Sequence, residues 1–171
     1  TLTATATDTD GTVAKVEFYN GATLIGTATA APYTATWSSI SAGSYQITAQ
    51  ATDNLGGITT STPVTVTVDT PPSITLTTPT SGTVLAGPTN VTLTADASDT
   101  DGTITQVTFL QNGSPIGTVT TAPYSLTWNA APGSYQLTAN ATDNLGITST
   151  SAPITLTVIA NSAPTISPTR P

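Results

Sequence analysis

Asp8 and Asp10 lie in the run Asp-Thr-Asp-Gly, and the same run returns with Asp99 and Asp101. Asp53 and Asp143 each open a second repeated run, Asp-Asn-Leu-Gly, in which Asn54 and Asn144 follow; Asp69 stands between the two sets. Carboxylates spaced this way suit two chemistries. A glycosidase flanks a sugar with two carboxyl groups about 5–9.5 Å apart, one kept protonated by an apolar pocket. A hard cation such as calcium collects about 6–8 oxygens from carboxylates, amides and carbonyls. The same residues also build ordinary turns, in which Asp accepts hydrogen bonds from nearby backbone N–H groups and Gly supplies a positive φ. Short polar turns offer no apolar pocket, so catalysis is not expected of these pairs; turn building and calcium both stay open.

The remaining chemistry is narrow. The chain has no Cys, His or Met, and 2 Lys+Arg stand against 9 Asp+Glu for a formal net charge of -7. Thiol and imidazole catalysis are excluded, and no ligand set exists for structural zinc or haem. Two basic residues cannot neutralise a phosphate backbone or grip an anionic bilayer, so no nucleic-acid partner and no membrane insertion are expected. Trp37 and Trp128, with Tyr33 and Tyr124, could stack on sugars, but alternation along their strand puts them on its inward face, as core. Lys15 alternates with the inward Val16 and Phe18, so it points to solvent, and Gln106 replaces it in the repeat.

The elements that must position these residues follow from composition and period. Charged residues make up 6% of the 171, against about 25% in an average domain, and 43 Thr supply the polar surface instead. A β-branched hydroxyl residue suits the solvent face of a strand better than a helix. The chain then repeats itself: 21 of the 37 positions from Thr1 to Trp37 are identical 91 residues later, and Tyr45 returns as Tyr135 after a one-residue deletion. Pro72-Ser-Ile-Thr-Leu-Thr-Thr-Pro79 is matched by Pro164-Thr-Ile-Ser-Pro-Thr-Arg-Pro171. The phase therefore predicts a unit over 1–70 without its first strand, a complete unit over 71–160, and the first strand of a following repeat over 161–171, a segment of a longer array. Period-two alternation bounded by turn residues predicts strands over 73–77, 91–97, 104–110, 116–120, 124–128, 134–142 and 153–159 in the complete unit. Asn20-Gly21 and Asn112-Gly113 are tight-hairpin signals, because both residue types tolerate positive φ. Seven short strands with no helical period make an all-β, two-sheet sandwich.

The run Gly133-Ser-Tyr-Gln-Leu-Thr-Ala-Asn-Ala-Thr-Asp-Asn-Leu-Gly146, preceded by Val107-Thr-Phe109 and Ala122-Pro-Tyr-Ser-Leu-Thr-Trp128, resembles the bacterial immunoglobulin-like domains strung along large secreted and cell-surface proteins. The resemblance covers the whole chain. It implies tandem immunoglobulin-like β-sandwiches of Greek-key topology, a tyrosine corner at Tyr45 and Tyr135, and core packing of Trp37 and Trp128. It also implies that Asp99, Asp101, Asp143 and Asn144 gather at the loop end facing the preceding domain, with Asp69 arriving from the linker; in the first unit the set is Asp8, Asp10, Asp53 and Asn54. Calcium is the one cofactor this raises. The expected function is a non-enzymatic spacer, stalk, adhesin or filament segment of an extracellular or surface-anchored bacterial protein, partnered by neighbouring repeats, with surface glycans or other cells as further partners. Two alternatives accompany it: a carbohydrate-binding or spacer module of a secreted polysaccharide-degrading enzyme, and a filament subunit assembled through strand-edge or donor-strand contacts.

Overall fold

The structure is a computed structural model that describes residues 1–167. It divides into two compact units, Thr1–Asp69 and the chain from Thr70 onward. In the first, the strands are β1 (Leu2–Ala4), β2 (Val13–Asn20), β3 (Thr23–Ala28), β4 (Tyr33–Ala35), β5 (Gly43–Asp53), β6 (Ile58–Thr60) and β7 (Val64–Val68). In the second they are β8 (Ser73–Thr78), β9 (Thr83–Gly87), β10 (Thr89–Ser98), β11 (Ile104–Gln111), β12 (Ser114–Val119), β13 (Tyr124–Ala130), β14 (Gly133–Asp143), β15 (Thr148–Thr150) and β16 (Ile154–Ala160). Among the described residues every regular element is a strand, and no helix is long and apolar enough to cross a membrane. Residues 161–167 form no strand; the rest of the strand expected over 161–171 lies outside the described residues.

The second unit is a Greek-key sandwich. One sheet has the order β13-β10-β8; the other runs β12-β11-β14-β16-β9, with β15 also on β14. Alternation fixes what lies between them. Val91, Leu93 and Ala95 of β10, Val107 and Phe109 of β11, Leu137, Ala139 and Ala141 of β14, and Leu156 and Val158 of β16 are all buried in one cluster, while the intervening Thr residues carry the hydrated faces. Asn112 (φ 48°) and Gly113 (φ 80°) form the two-residue loop joining β11 to β12, as a type I′ turn requires. Asn112 also accepts a hydrogen bond on Oδ1 from Gln136 N at 2.9 Å, tying the hairpin to β14.

Three features depart from the sequence expectation. The opening strand does not end at 77: β8 pairs antiparallel with β10, the chain turns through Pro79 and Gly82 (φ 84°), and β9 joins the opposite sheet parallel to β16. The last strand, expected over 153–159, is β16, and an additional short strand that was not expected, β15, precedes it; both pair with β14. Pro153 has no N–H to continue a ladder, and Ser151 bridges the gap, its N donating to Ala139 O at 2.8 Å and its Oγ accepting from Ala139 N at 3.0 Å. Ser61 and Ala49 repeat the arrangement in the first unit at 2.8 and 3.0 Å. Finally, Asn20-Gly21 is not the hairpin loop. Asn20 pairs with Thr23, so the loop is Gly21-Ala22, and only Gly21 has positive φ (57°). That is the pattern of a type II′ turn, which needs positive φ at its first central residue alone.

The first unit repeats this fold without counterparts of β8 and β9. Its sheets are β1-β4 and β3-β2-β5, with β6 and β7 both on β5. In the second unit Asp96, Ala97 and Ser98 are held in β10 by pairing with β8 alone. Their counterparts Thr5, Ala6 and Thr7 have no such partner and lie outside β1. The core shrinks accordingly, to buried Val16, Phe18 and Tyr33, with alanines only partly covered around them.

Candidate functional site

The aspartates meet where β11 begins beside the end of β14, since Ile104 pairs with Asp143. This register sets the Asp99–Gly102 turn against the Asp143–Gly146 turn. Asn144 Oδ1 accepts a hydrogen bond from Thr103 N at 2.7 Å, locking the two turns together. Asp99 Oδ1 accepts from Asp101 N at 3.2 Å, and Asp101 Oδ2 accepts from Thr70 N at 3.2 Å, fastening the start of the unit. Asp143 is 2% exposed; its Oδ1 accepts from Leu145 N at 2.8 Å and Ile147 N at 2.9 Å. Gly102 is required by contact: a Cβ there would fall on Asn144 Oδ1 and 2.7 Å from Asp99 Oδ2.

The first unit builds the same end from Asp8, Asp10, Asp53 and Asn54. Asp8 Oδ1 accepts from Asp10 N at 3.4 Å and Asn54 Oδ1 from Thr12 N at 2.8 Å. Asp53 Oδ1 accepts from Leu55 N at 2.7 Å and Gly57 N at 2.9 Å. Asp69 is the last residue of that unit, just after β7. Among the described residues no three Asp or Glu side chains come together in a group suited to a metal ion. The second carboxylate oxygens of Asp99 and Asp143 are buried without a hydrogen-bond partner; sequence could name these residues but not say which oxygen each turn uses.

The repeated aromatics form a second constellation. Tyr135 donates its hydroxyl hydrogen to Ala131 O at 2.8 Å, and Tyr45 does the same to Ser41 O at 2.8 Å. Each tyrosine pins the chain crossing into the long central strand, the geometry of a tyrosine corner. Trp128 meets Tyr135 edge-on at 4.8 Å and 86°, and Trp37 meets Tyr45 at 5.0 Å and 83°. Both tryptophans are half-buried; Trp128 packs against the core cluster of the second unit as expected, whereas Trp37 is not among the residues packed on the smaller core of the first. Trp37 lies beyond β4. Lys15 reaches Glu17 at 2.9 Å on the outer face of β2, with its side chain 40% exposed.

Strand order, corner and repeated turns together define an immunoglobulin-like module in duplicate. The sequence model of the bacterial Ig domain family matches residues 1–49 and 72–139, and the chain belongs to that family. Among solved structures it is similar to the fibronectin(III)-like modules of Clostridium thermocellum CbhA, at 39% identity over 92% of this chain and 84% of that one, with a TM-score of 0.56. The central fibronectin-III array of RIM-binding protein aligns at 14% identity over 91% of this chain and 60% of that one, TM-score 0.36. The Bacteroides ovatus glucan-locus protein SGBP-B, solved with a mixed-linkage heptasaccharide, aligns at 16% identity over 86% and 39%, TM-score 0.27. No curated protein matches the chain.

Proposed function

We propose that the chain is a structural spacer of a bacterial extracellular or cell-surface protein, its repeats setting distance between other parts and carrying no catalysis. One observation carries this reading. The side chains that recur with chemical capability in both units, Tyr45/Tyr135, Asp53/Asp143 and Asn54/Asn144, all direct hydrogen bonds at the protein's own backbone. A binding repeat would instead present the same polar or aromatic groups outward twice. Tyr19 faces outward on β2, but Leu110 holds its place in the second unit.

The carbohydrate alternative predicts a measurable grip. The chain is to be mixed with insoluble cellulose, chitin and xylan, and run through gels containing soluble mixed-linkage glucan. A spacer shows no depletion and no retardation on any of them. Retention lost on Tyr19→Ala would overturn the spacer reading in favour of a binding module.

A second reading rests on Asp99 Oδ2 and Asp143 Oδ2, buried oxygens of the type that calcium ligation uses. On it, Asp99, Asp143 and Asn144, with Asp8, Asp53 and Asn54 in the first unit, would hold calcium and stiffen the loops. The turn role needs no ion, because the other oxygens already cap backbone N–H groups, and we adopt it as the simpler of the two.

A further inference from the structure

Tension along the chain enters the second unit at Thr70 and leaves it after Ala160, and the strand directions decide what resists it. Ser73, the first residue of β8, pairs with Ser98, at the end of β10 that leads into the Asp99 turn. That turn is tied to the end of β14 through Asn144. Ala160, the last residue of β16, lies just beyond Val158, which pairs with Gly133 where β14 begins. Entry and exit are therefore at opposite ends of the sandwich. β8 and β9 both run from the entry end toward the exit end, and β9 runs parallel to β16.

A pull at these two points loads β8 against β10 first, and β9 against β16 only once β8 has let go. Parallel neighbours drawn from opposite ends slide along each other, and because the bonds of a parallel ladder are evenly spaced, every rung is strained together. Neighbours drawn from the same end unzip one rung at a time. The β9–β16 ladder runs from Thr83 opposite Leu156 to Gly87 opposite Ala160. It is prolonged at both ends: Gly82 N donates to Thr155 O at 2.8 Å and Thr155 N to Ser81 Oγ at 3.2 Å, while Asn161 N donates to Gly87 O at 3.2 Å. Packing reinforces it. Leu85 lies opposite Val158, which is 2% exposed, and Gly87 is buried so close to that residue that a Cβ would fall on Val158 Cγ1. The β8–β10 ladder is interrupted by a register shift at Thr94 and Ala95.

We infer that β9 and β16 form a tension-bearing clamp in the second unit, and that β8 is a fuse which releases slack before the clamp is loaded. Loss of β8 withdraws Leu76 and Ile74 from the core, but Val91, Leu93, Phe109, Leu137 and Leu156 stay packed between the remaining strands. The unit thus lengthens a little under a weak pull and then holds until all the rungs between β9 and β16 give way at once. The inference goes beyond the spacer reading and does not depend on it, since it rests on strand direction alone: a weak unit could still set distance, and a strong one could serve a binding protein.

The chain has no Cys, so pairs of introduced cysteines set the pulling points in the full chain. With handles on Thr70→Cys and Asn161→Cys, held at constant force in optical tweezers, the second unit is expected to lengthen in a short step as β8 leaves and a long one as β9 parts from β16. Gly87→Ala, which wedges β9 off Val158, is expected to shorten the wait for the long step at least about tenfold. Leu76→Ala is expected to shorten only the wait for the short step. With handles on Ser114→Cys and Ser125→Cys, which load β12 and β13 instead, Gly87→Ala is expected to leave the lifetime unchanged. Should Gly87→Ala fail to fold, Ser81→Ala removes only the hydroxyl that accepts from Thr155 N, and a shortening of about threefold is expected. A long step unmoved by these β9 variants, or moved equally in both pulling geometries, would overturn the assignment. A long step that follows Leu76→Ala instead would overturn it too, by placing the load on β8 and β10.

Discussion

Phe109→Ala is expected to lower the melting transition of the second unit by roughly 15–30 °C. Phe109 is 0% exposed and lies in the buried cluster shared by both sheets. Truncating a buried Phe removes its transfer free energy and leaves a cavity, together about 3–5 kcal/mol, and each kcal/mol moves a domain of this size by about 4–8 °C. Marginal stability of about 5–15 kcal/mol makes that a large share of the total. The same change at Phe18, 2% exposed within the smaller core, is expected to leave the first unit unfolded at room temperature. Scanning calorimetry of the full-length variants reads both effects. A shift below about 5 °C for Phe109→Ala would show that the cluster is not what holds the sandwich together.

Asp143→Ala is expected to cost the second unit about 2–4 kcal/mol, and by the same amount in calcium and in chelator. Two hydrogen bonds to the buried Asp143 carboxylate are lost, and the N–H groups of Leu145 and Ile147 in the exposed turn are left without it. Asp143→Asn keeps an acceptor oxygen at the same place, so a smaller loss of about 1 kcal/mol is expected. Calcium binding would behave differently. An ion at a hundred times its dissociation constant stabilises the folded state by about 2.7 kcal/mol, and Asp143→Ala would abolish that gain. Thermal melts of the wild type and Asp143→Ala, each with millimolar calcium and with chelator, separate the turn from the ion. A wild-type transition that rises several degrees in calcium, with no rise in the variant, would establish the ion.

Much of the sandwich is legible in sequence because its signals are local. Val91, Leu93 and Ala95 alternate with Thr92 and Thr94 along β10, and Asn112-Gly113 carries its turn type in its own φ preferences. What sequence hides depends on distant partners. Thr83–Gly87 has too short a pattern to read, and becomes a strand only because β16, some seventy residues later, offers a parallel edge. The separation of β15 from β16 turns on one hydroxyl, Ser151 Oγ, replacing a ladder bond ahead of Pro153. At Asn20-Gly21 the local signal was outvoted by register, since inward Phe18 and the bulge after it fix where β2 must end. The candidate site divides similarly. Residue types and spacing mark Asp99, Asp143 and Asn144 as turn builders, but only coordinates show each Oδ1 on a backbone N–H and two carboxylate oxygens left over.

The two units are the same sandwich, differing in the segment that closes it, and hydrogen exchange resolved by residue tests this most directly. Amides of Val91–Ala95 and of Leu156–Val158 are expected to exchange only through global unfolding of the second unit, whereas those of Leu2–Ala4 and Val66–Val68 open locally and exchange at least about a hundredfold faster. Equal protection of the two sets would contradict the difference in closure between the repeats.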